Sequence, residues 1–139
     1  MDSAIIDTGV WLAIFDARDE RHREGQAKAE LLDMLRVVIP WPTMYETLRT
    51  RFVRNKAALG RFETFLKSPA VVYLEDELYR DAALQMSLDS SLRRNHPLSM
   101  VDCLIRLLID DINVKVQFLA TFNDRDFIDV CAPRGVEII

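Results

Sequence analysis

The amino-acid sequence predicts a three-layer α/β/α domain built on a central parallel sheet of about five strands. Two observations lead to this prediction. Five short apolar runs are spread along the 139 residues, and the segments between them carry apolar residues at the spacing of amphipathic helices. Strands that alternate with helices form right-handed crossovers, which cover both faces of a parallel sheet. At this length we expect a single domain over residues 1–139.

The predicted strands are short apolar runs bounded by polar or turn-forming residues. They are Ala4–Ile6, Val37–Pro40, Val71–Leu74, Val116–Ala120 and Val136–Ile139. Pro40 and Pro42 are expected to end the second strand, because proline has no backbone N–H to donate to a neighbouring strand.

The predicted helices lie between these strands. They cover Thr8–Phe15, Gln26–Leu35, Thr43–Val53, Ala57–Leu66, Glu77–Leu92 and Ser99–Ile112. Their apolar spacing predicts which side chains face the core. The expected inward residues include Ala27, Leu31, Leu32, Leu35, Leu48, Phe52, Leu59, Phe62, Phe65, Leu66, Leu78, Ala82, Leu84 or Gln85, and Leu88.

The composition argues against several classes of protein. Lys and Arg number 18 against 22 Asp and Glu, a net charge of −4, so any binding to nucleic acid must be local. The longest apolar-rich stretch, Met100–Ile112, contains charged residues, so no segment is expected to span a membrane. Cys103 and Cys131 are interpreted as buried hydrophobic residues without a disulfide. We therefore expect a cytoplasmic protein.

Four acidic or amide-bearing sites begin separate elements of the predicted fold: Asp7, Glu46, Asp102 and the segment Asn123–Asp126. Three of them follow predicted strands, and the carboxyl ends of parallel strands meet at one edge of a sheet. Carboxylates gathered there without a basic partner repel one another unless a hard divalent cation lies among them. The sequence therefore predicts a site for Mg²⁺ or Mn²⁺, suited to metal-assisted phosphodiester hydrolysis.

The first two acids also have a structural interpretation. Asp7 precedes a predicted helix and could cap it by accepting backbone N–H bonds. Glu46 stands three residues after Thr43, the spacing of a capping box in which the two side chains satisfy each other's backbone N–H groups. Either role would explain the acid without a metal ion.

The later acids have structural alternatives as well. Asp102 could close a similar box with Ser99 or pair with Arg106 one turn along the helix. The segment Asn123–Asp126 could form a turn stabilised by its own side chains. Against this, the neighbours of Asp102 are mostly apolar, and a buried acid without a partner is costly.

Basic residues crowd beside two of the acids. One group, Arg49, Arg51, Arg54, Lys56 and Arg61, follows Glu46, and a second, Arg93, Arg94 and His96, precedes Asp102. Phosphate contacts supply most of the affinity for a nucleic acid, so we interpret Arg49, Arg51, Arg54, Arg93 and Arg94 as candidate RNA-binding residues. The alternatives are a solvated helix face or a surface that binds a protein. Trp41, between two prolines, is interpreted as packing in the core or its rim rather than stacking on a nucleotide.

Other kinds of site are disfavoured. His22 and His96 lack ligand spacing for zinc, and the chain has neither a glycine-rich phosphate loop nor a GxSxG motif. A signalling module of the receiver type shares the sheet and the acids at strand ends. It requires adjacent acids after the first strand and a lysine after the fifth, and both are missing here.

The segments IIDTGVW, PTMYETLR, LSMVDCLIR and LATFNDRDF together resemble the PIN-domain ribonucleases, particularly the small VapC-like toxins of bacterial and archaeal toxin–antitoxin pairs. The resemblance runs the whole length of the chain and implies a PIN-like fold. It implies an acidic quartet of Asp7, Glu46, Asp102 and Asp126 that is both catalytic and metal-binding. Supporting residues would be Thr8, Thr121 and Asn123, with Asp124 as an alternative in the fourth position.

The resemblance also implies an activity and partners. The activity is a Mg²⁺-dependent endoribonuclease, in which one or two ions activate water for attack on the scissile phosphate. The implied partners are an RNA substrate, a second copy of the chain in a homodimer, and a cognate antitoxin protein. The alternatives are a housekeeping RNA-processing nuclease and a catalytically silent PIN-like scaffold that binds RNA or protein, since Asn123 stands where the family often has an acid.

Overall fold

The computed structural model describes residues 1–139 and contains five strands and seven α-helices. The strands are β1 Ser3–Ile6, β2 Arg36–Pro40, β3 Val71–Leu74, β4 Phe118–Ala120 and β5 Glu137–Ile138. All five predicted strands are therefore present, and the last two are shorter than predicted. Every pairing between them is parallel, in the order β3-β2-β1-β4-β5.

The helices are α1 Thr8–Phe15, α2 His22–Leu32, α3 Trp41–Thr47, α4 Lys56–Leu66, α5 Arg80–Leu92, α6 Met100–Asp110 and α7 Ile128–Arg134. Three short 3₁₀ helices cover Arg51–Arg54, Glu77–Tyr79 and Asp124–Asp126. None of the helices combines the length and the apolar character needed to cross a membrane.

Alternating strand residues separate two cores, one on each side of the sheet. Ala4 and Ile6 of β1 pack in a cluster with Trp11 of α1 and Phe62 of α4. Ile5, the residue between them, packs instead with the apolar residues of α6 and α7. A sheet covered by helices on both faces confirms the predicted three-layer α/β/α fold.

The strand order creates a switch point at the middle of the sheet. After β1 the chain adds β2 and β3 on one side, and then returns to add β4 and β5 on the other. Ligands of open parallel sheets bind outside the carboxyl ends of the strands at such a point. Here the switch lies between β1 and β4, where the backbone N–H of Asp7 donates to the carbonyl of Ala120 at 2.9 Å.

Two predicted helices differ most from the observed ones in extent, while the helices predicted at Ala57–Leu66, Glu77–Leu92 and Ser99–Ile112 differ by one to three residues at their ends. The helix expected at Thr43–Val53 begins at Trp41, because Pro42 is tolerated in the first turn. It ends at Thr47, and a separate 3₁₀ turn follows. The hydroxyls of Thr47 and Thr50 each bond a carbonyl of the preceding turn at 2.7 Å, a contact that bends and weakens helices. The helix predicted at Gln26–Leu35 runs instead over His22–Leu32.

Helix α7 was not predicted, because Pro133 lies inside it and its seven residues follow directly on a 3₁₀ turn. Proline lacks an N–H, but in the last turn of so short a helix it interrupts few bonds. Gly135, in a left-handed conformation with φ 67°, ends the helix and was the available signal.

The inward face predicted for α5 is wrong. Leu78 just before the helix is 92% exposed, and Leu84 and Leu88 are 48% and 46% exposed. The buried positions are the small residues Ala83 and Ser90. Ser87 and Ser90 bond the carbonyl and the N–H of Leu98, so this face holds the loop before α6 through polar contacts. Other predicted inward residues are also exposed, namely Ala27, Leu31, Leu48 and Ala82.

Candidate active site

Asp7 occupies the switch point directly after β1. Its side chain is only 6% exposed. One carboxylate oxygen, Oδ1, accepts a hydrogen bond from the backbone N–H of Thr8 at 2.9 Å, so Asp7 does cap α1. The other oxygen, Oδ2, accepts from the hydroxyl of Thr121, just after β4, also at 2.9 Å. The cap therefore accounts for only part of the environment of this carboxylate.

The protonation of Asp7 is unusual for an aspartate. Burial raises its pKa to about 6, although the hydrogen bonds from Thr121 and Thr8 oppose this effect. The negative charges of Asp102 and Glu46 raise it further. Asp7, Glu46 and Asp102 have no Lys, Arg or His within ion-pair distance. These carboxylates interact with one another, and no cation of the protein compensates them.

Glu46 lies in α3, the helix that follows β2. The capping box predicted for it is wrong, because the helix begins before Thr43 and the Thr43 hydroxyl donates to the Pro40 carbonyl at 2.7 Å. Glu46 is half-buried and lines a cavity of about 440 Å³ that also contains Arg49. Its carboxylate is therefore not used in capping, and its charge acts on Asp7 and Asp102.

Asp102 lies in the first turn of α6 and is half-buried. Ser99 caps this helix as predicted, its hydroxyl accepting from the Asp102 N–H at 3.0 Å. Burial raises the pKa of Asp102, hydrogen bonding with Ser99 opposes the shift, and the charges of Glu46 and Asp126 add to it. The alternative pair with Arg106 does not form, because that guanidinium binds Asp129 through two bonds of 2.7 Å.

Asp126 ends the 3₁₀ turn after β4 and differs from the other three acids, because a histidine side chain contacts its carboxylate. Its Oδ1 lies 3.0 Å from Nε2 of His96, and its backbone carbonyl accepts from Arg106 at 2.6 Å. The same residues line a cavity of about 430 Å³ together with Arg94 and Arg125. Its charge still reaches Asp102.

The supporting residues predicted from the sequence divide into buried and exposed ones. Thr121 is buried and joins Asp7 to the N–H of Asn123, which donates to the Thr121 hydroxyl at 3.0 Å. Thr8 is also buried, and its hydroxyl has no hydrogen-bond partner. Asn123 and Asp124 are exposed. The turn predicted for this segment exists, and the threonine at its start links it to Asp7.

The arginines predicted to contact RNA lie in different surroundings. Arg49 lines the cavity of Glu46, whereas Arg51 and Arg54 are exposed on the 3₁₀ turn and have no ion pair. Arg93 and Arg94 are exposed and pair with Asp89 at 3.2 and 3.5 Å. Arg61, from the same basic group of the sequence, donates instead to the carbonyl of Phe15.

Sequence reasoning missed a pair of cations beside the site. Arg21 and Lys28 lie over the ring of Phe122, 4.7 and 5.0 Å from its centroid, and neither has an acidic partner. Phe122 directly follows Thr121. Gly25 lets helix α2 pack closely against α1, because a Cβ at this position would lie 2.5 Å from the carbonyl carbon of Ala13. The seven-residue spacing of the two cations was the available signal.

The donor set fits a hydrated hard cation. Three mutually repelling carboxylates lack a protein counter-charge, and the Thr8 hydroxyl beside them is buried without a partner. No three acidic, histidine or cysteine side chains lie close enough to enclose an ion by direct coordination. Mg²⁺ suits such a site, because it retains several waters and takes few protein carboxylates.

A model of the PIN domain family matches residues 4–133. This chain belongs to the PIN domain family. PIN domains are typically metal-dependent nucleases, so family membership supports hydrolysis of nucleic acid by this domain and use of a divalent metal in general terms. No match was found among the curated proteins.

Proposed function

We propose that this PIN domain is a Mg²⁺-dependent endoribonuclease and the toxin of a toxin–antitoxin pair. The observation that carries the proposal is the uncompensated acidic group at the carboxyl end of the central strands. Asp7 is buried with a pKa raised to about 6, the charges of Glu46 and Asp102 act on it, and none of the three acids has a Lys, Arg or His within ion-pair distance. Keeping such charges together weakens the metal-free fold, so their presence favours a role in holding a cation.

The proposed roles follow from the surroundings of each acid. Asp7, Glu46 and Asp102 would hold the ion, with Asp126 as the fourth acid. When bound, a divalent cation activates water and neutralises the charge that develops on the phosphate. Thr121 keeps the Asp7 carboxylate in one orientation through its 2.9 Å hydrogen bond. His96 and Arg106 do the same for the side chain and the backbone of Asp126.

RNA as the substrate is supported by cations around this acidic centre. Arg49 lies beside Glu46, and Arg21 and Lys28 lie beside Phe122. These three side chains have no acidic partner, so they are free to contact phosphates on either side of the scissile bond. Arg51 and Arg54 also have no acidic partner. Arg93 and Arg94 would have to break their ion pairs with Asp89 before they could contact a phosphate.

The toxin role and the protein partners rest on the resemblance and on one surface. Leu84, Leu88 and Leu92 recur every four residues on α5 and are 48%, 46% and 73% exposed. A continuous apolar stripe on a helix is typical of an interface. We propose that this stripe belongs to the homodimer and that a cognate antitoxin covers the acidic centre with a basic side chain.

The test is cleavage of a closed circular single-stranded RNA, which has no ends and so reports only internal cuts. We expect cleavage with Mg²⁺ or Mn²⁺ and none in excess chelator. Asp102→Asn should abolish it. Asp110→Asn is the matched control, because Asp110 lies at the other end of α6 and is exposed beside Arg134. Binding of the RNA without any metal-dependent cleavage would favour the silent scaffold instead.

The toxin role needs a separate measurement. Expression of the wild-type chain should arrest growth of the host cell, and expression of Asp102→Asn should not. An active nuclease whose expression leaves growth unchanged would favour the housekeeping alternative.

A further inference from the structure

A second cavity lies beside the one that contains Glu46. It has a volume of about 430 Å³ and is lined mainly by side chains of α3 and α6, with polar residues around Glu75 and Arg80. The two cavities share Pro42, Tyr45 and Val101 as lining residues. The second cavity, called the groove below, therefore adjoins the cavity that contains Glu46.

Aromatic rings form one wall of this groove. Trp41 and Tyr45 are one turn apart on α3 and both line the cavity. Tyr73 of β3 stacks on Trp41 with a centroid distance of 4.5 Å and an angle of 11° between the rings. Tyr45 is 67% exposed. Unpaired RNA bases stack on aromatic side chains placed in this way, and each such stack contributes substantially to binding.

The polar wall offers hydrogen bonds that match the edge of a base. Arg80 donates two bonds of 3.2 Å to Asp76, whereas Glu75 is exposed and has no ion pair. A carboxylate only accepts hydrogen bonds, so Glu75 matches the exocyclic amino group of adenine, cytosine or guanine. Uracil lacks an exocyclic amino group and offers only its ring N3–H as a donor, so Glu75 favours the three amino-bearing bases. Because Arg80 is paired with Asp76, Glu75 leaves this wall with a net negative charge, which favours a base over a phosphate of the RNA backbone.

We propose that this groove is a base-binding subsite that holds one unpaired, amino-bearing nucleobase of the RNA next to the scissile phosphate. The proposal rests on the proposed nuclease function. Glu46 directly follows Tyr45 on α3, so a nucleotide whose phosphate lies at the acidic centre has its neighbouring base within reach of the groove. Trp41, interpreted from the sequence as a packing residue, then also serves as part of a stacking surface.

Tryptophan fluorescence can test this without any cleavage. Trp11 is 1% exposed, so quenching by a ligand reports on Trp41. The probes are a uridine pentanucleotide and three versions with adenine, cytosine or guanine at the centre. The measurement uses the Asp7→Asn protein, in which the RNA survives, and is repeated with wild-type protein in chelator. We expect the three amino-bearing probes to quench Trp41 and to bind about tenfold more tightly than the uridine probe.

Three variants identify the groove. Tyr45→Ala should weaken binding of the amino-bearing probes roughly 5- to 150-fold, the loss expected for one base stack. Glu75→Ala removes the acceptor, so it should abolish most of the preference over uridine and leave binding of the uridine probe nearly unchanged. Glu77→Ala is the matched control, since Glu77 is an exposed acid two residues further along that does not line the cavity. It should change neither value.

Equal quenching by all four probes, or unchanged binding by Tyr45→Ala, would overturn the proposal. So would quenching of Trp41 by an apolar peptide but by none of the RNA probes, which would assign the groove to a protein partner. The fluorescence measurement needs no cleavage, so failure of the base-binding proposal can be distinguished from failure of the nuclease proposal. Base-selective quenching in a protein that never cuts RNA would keep the subsite, and cleavage without quenching would remove it.

Discussion

The two sides of the acidic centre solve the problem of a buried carboxylate differently. Asp7 and Asp102 receive hydrogen bonds from hydroxyl or backbone groups, but no cation of the protein lies beside them. Asp126 contacts the imidazole of His96 and is tied to Arg106 through its carbonyl. Asp7 and Asp102, on the first side, therefore need a positive charge from a bound ion, whereas a histidine and an arginine of the protein already contact Asp126 on the second side.

This difference separates the carboxylates that would bind the cation, Asp7 and Asp102, from the residues that position a carboxylate, His96 and Arg106. Removing a carboxylate on the first side removes a binding group and relieves repulsion in the metal-free protein. Removing the contact on the second side leaves the carboxylate in place with more freedom. A change of the first kind is expected to cost most of the activity and to stabilise the metal-free protein. A change of the second kind is expected to cost less activity.

The largest expected effect is the loss of activity in Asp7→Asn. We expect RNA cleavage to fall by several orders of magnitude, because the buried carboxylate is lost from the centre of the acidic group, while the free energy of unfolding in chelator at neutral pH rises. Single-turnover cleavage and denaturant unfolding measure the two quantities. An active Asp7→Asn protein would refute the assignment, and a destabilised one would show that its hydrogen bonds outweigh the repulsion.

The pH dependence of stability tests the same side. The pKa of Asp7 is raised from 3.8 to about 6 in the folded chain, so the native state binds the proton more tightly than the unfolded state. Without metal, the free energy of unfolding should therefore fall as pH rises through this window, by about 3 kcal/mol. Asp7→Asn should remove most of this fall, and Mg²⁺ should offset it at pH 7. A wild-type profile that is flat over the window would contradict the prediction.

A smaller effect is expected on the second side. His96→Ala removes the hydrogen bond to Asp126 but no carboxylate, so cleavage should fall roughly 10- to 100-fold, the usual cost of losing a group that orients a metal ligand. The concentration of Mg²⁺ required for half-maximal rate should rise. Arg93→Ala, nearby on the same loop and paired with Asp89, is the control. A loss as large as that of Asp7→Asn would remove the distinction between the two sides.

The smallest expected effect concerns the unpaired cations at the rim. Arg49→Glu should weaken RNA binding about tenfold regardless of sequence and reduce the slope of log affinity against log salt by about 0.7, the value for one phosphate contact to a single strand. Lys115→Glu is the matched control, because Lys115 is exposed before β4, at the opposite edge of the sheet. Lost dimerisation with an unchanged salt slope would assign Arg49 to protein contacts.

Much of the fold could be predicted because its signals are local. The apolar runs identified all five strands, and Thr8–Phe15 was predicted with its observed bounds. The errors lie where tertiary contacts override the pattern. The leucines of α5 are spaced like a core face, yet the helix buries Ala83 and Ser90 instead, because Ser87 and Ser90 bind the loop at Leu98. Local spacing cannot reveal such a contact.

The sequence by itself determined where the acids stand, since each follows an apolar run or begins a helix, and these signals span only a few residues. Only the tertiary structure determined which of these acids has a histidine or arginine of the protein as a partner. Arg106 was an equally good partner for Asp102 by spacing, but α7 brings Asp129 to it, and His96 meets Asp126 across 30 positions of the chain. Electrostatic partnership depends on distances of a few ångströms between remote residues, which the order of strands and the packing of helices set.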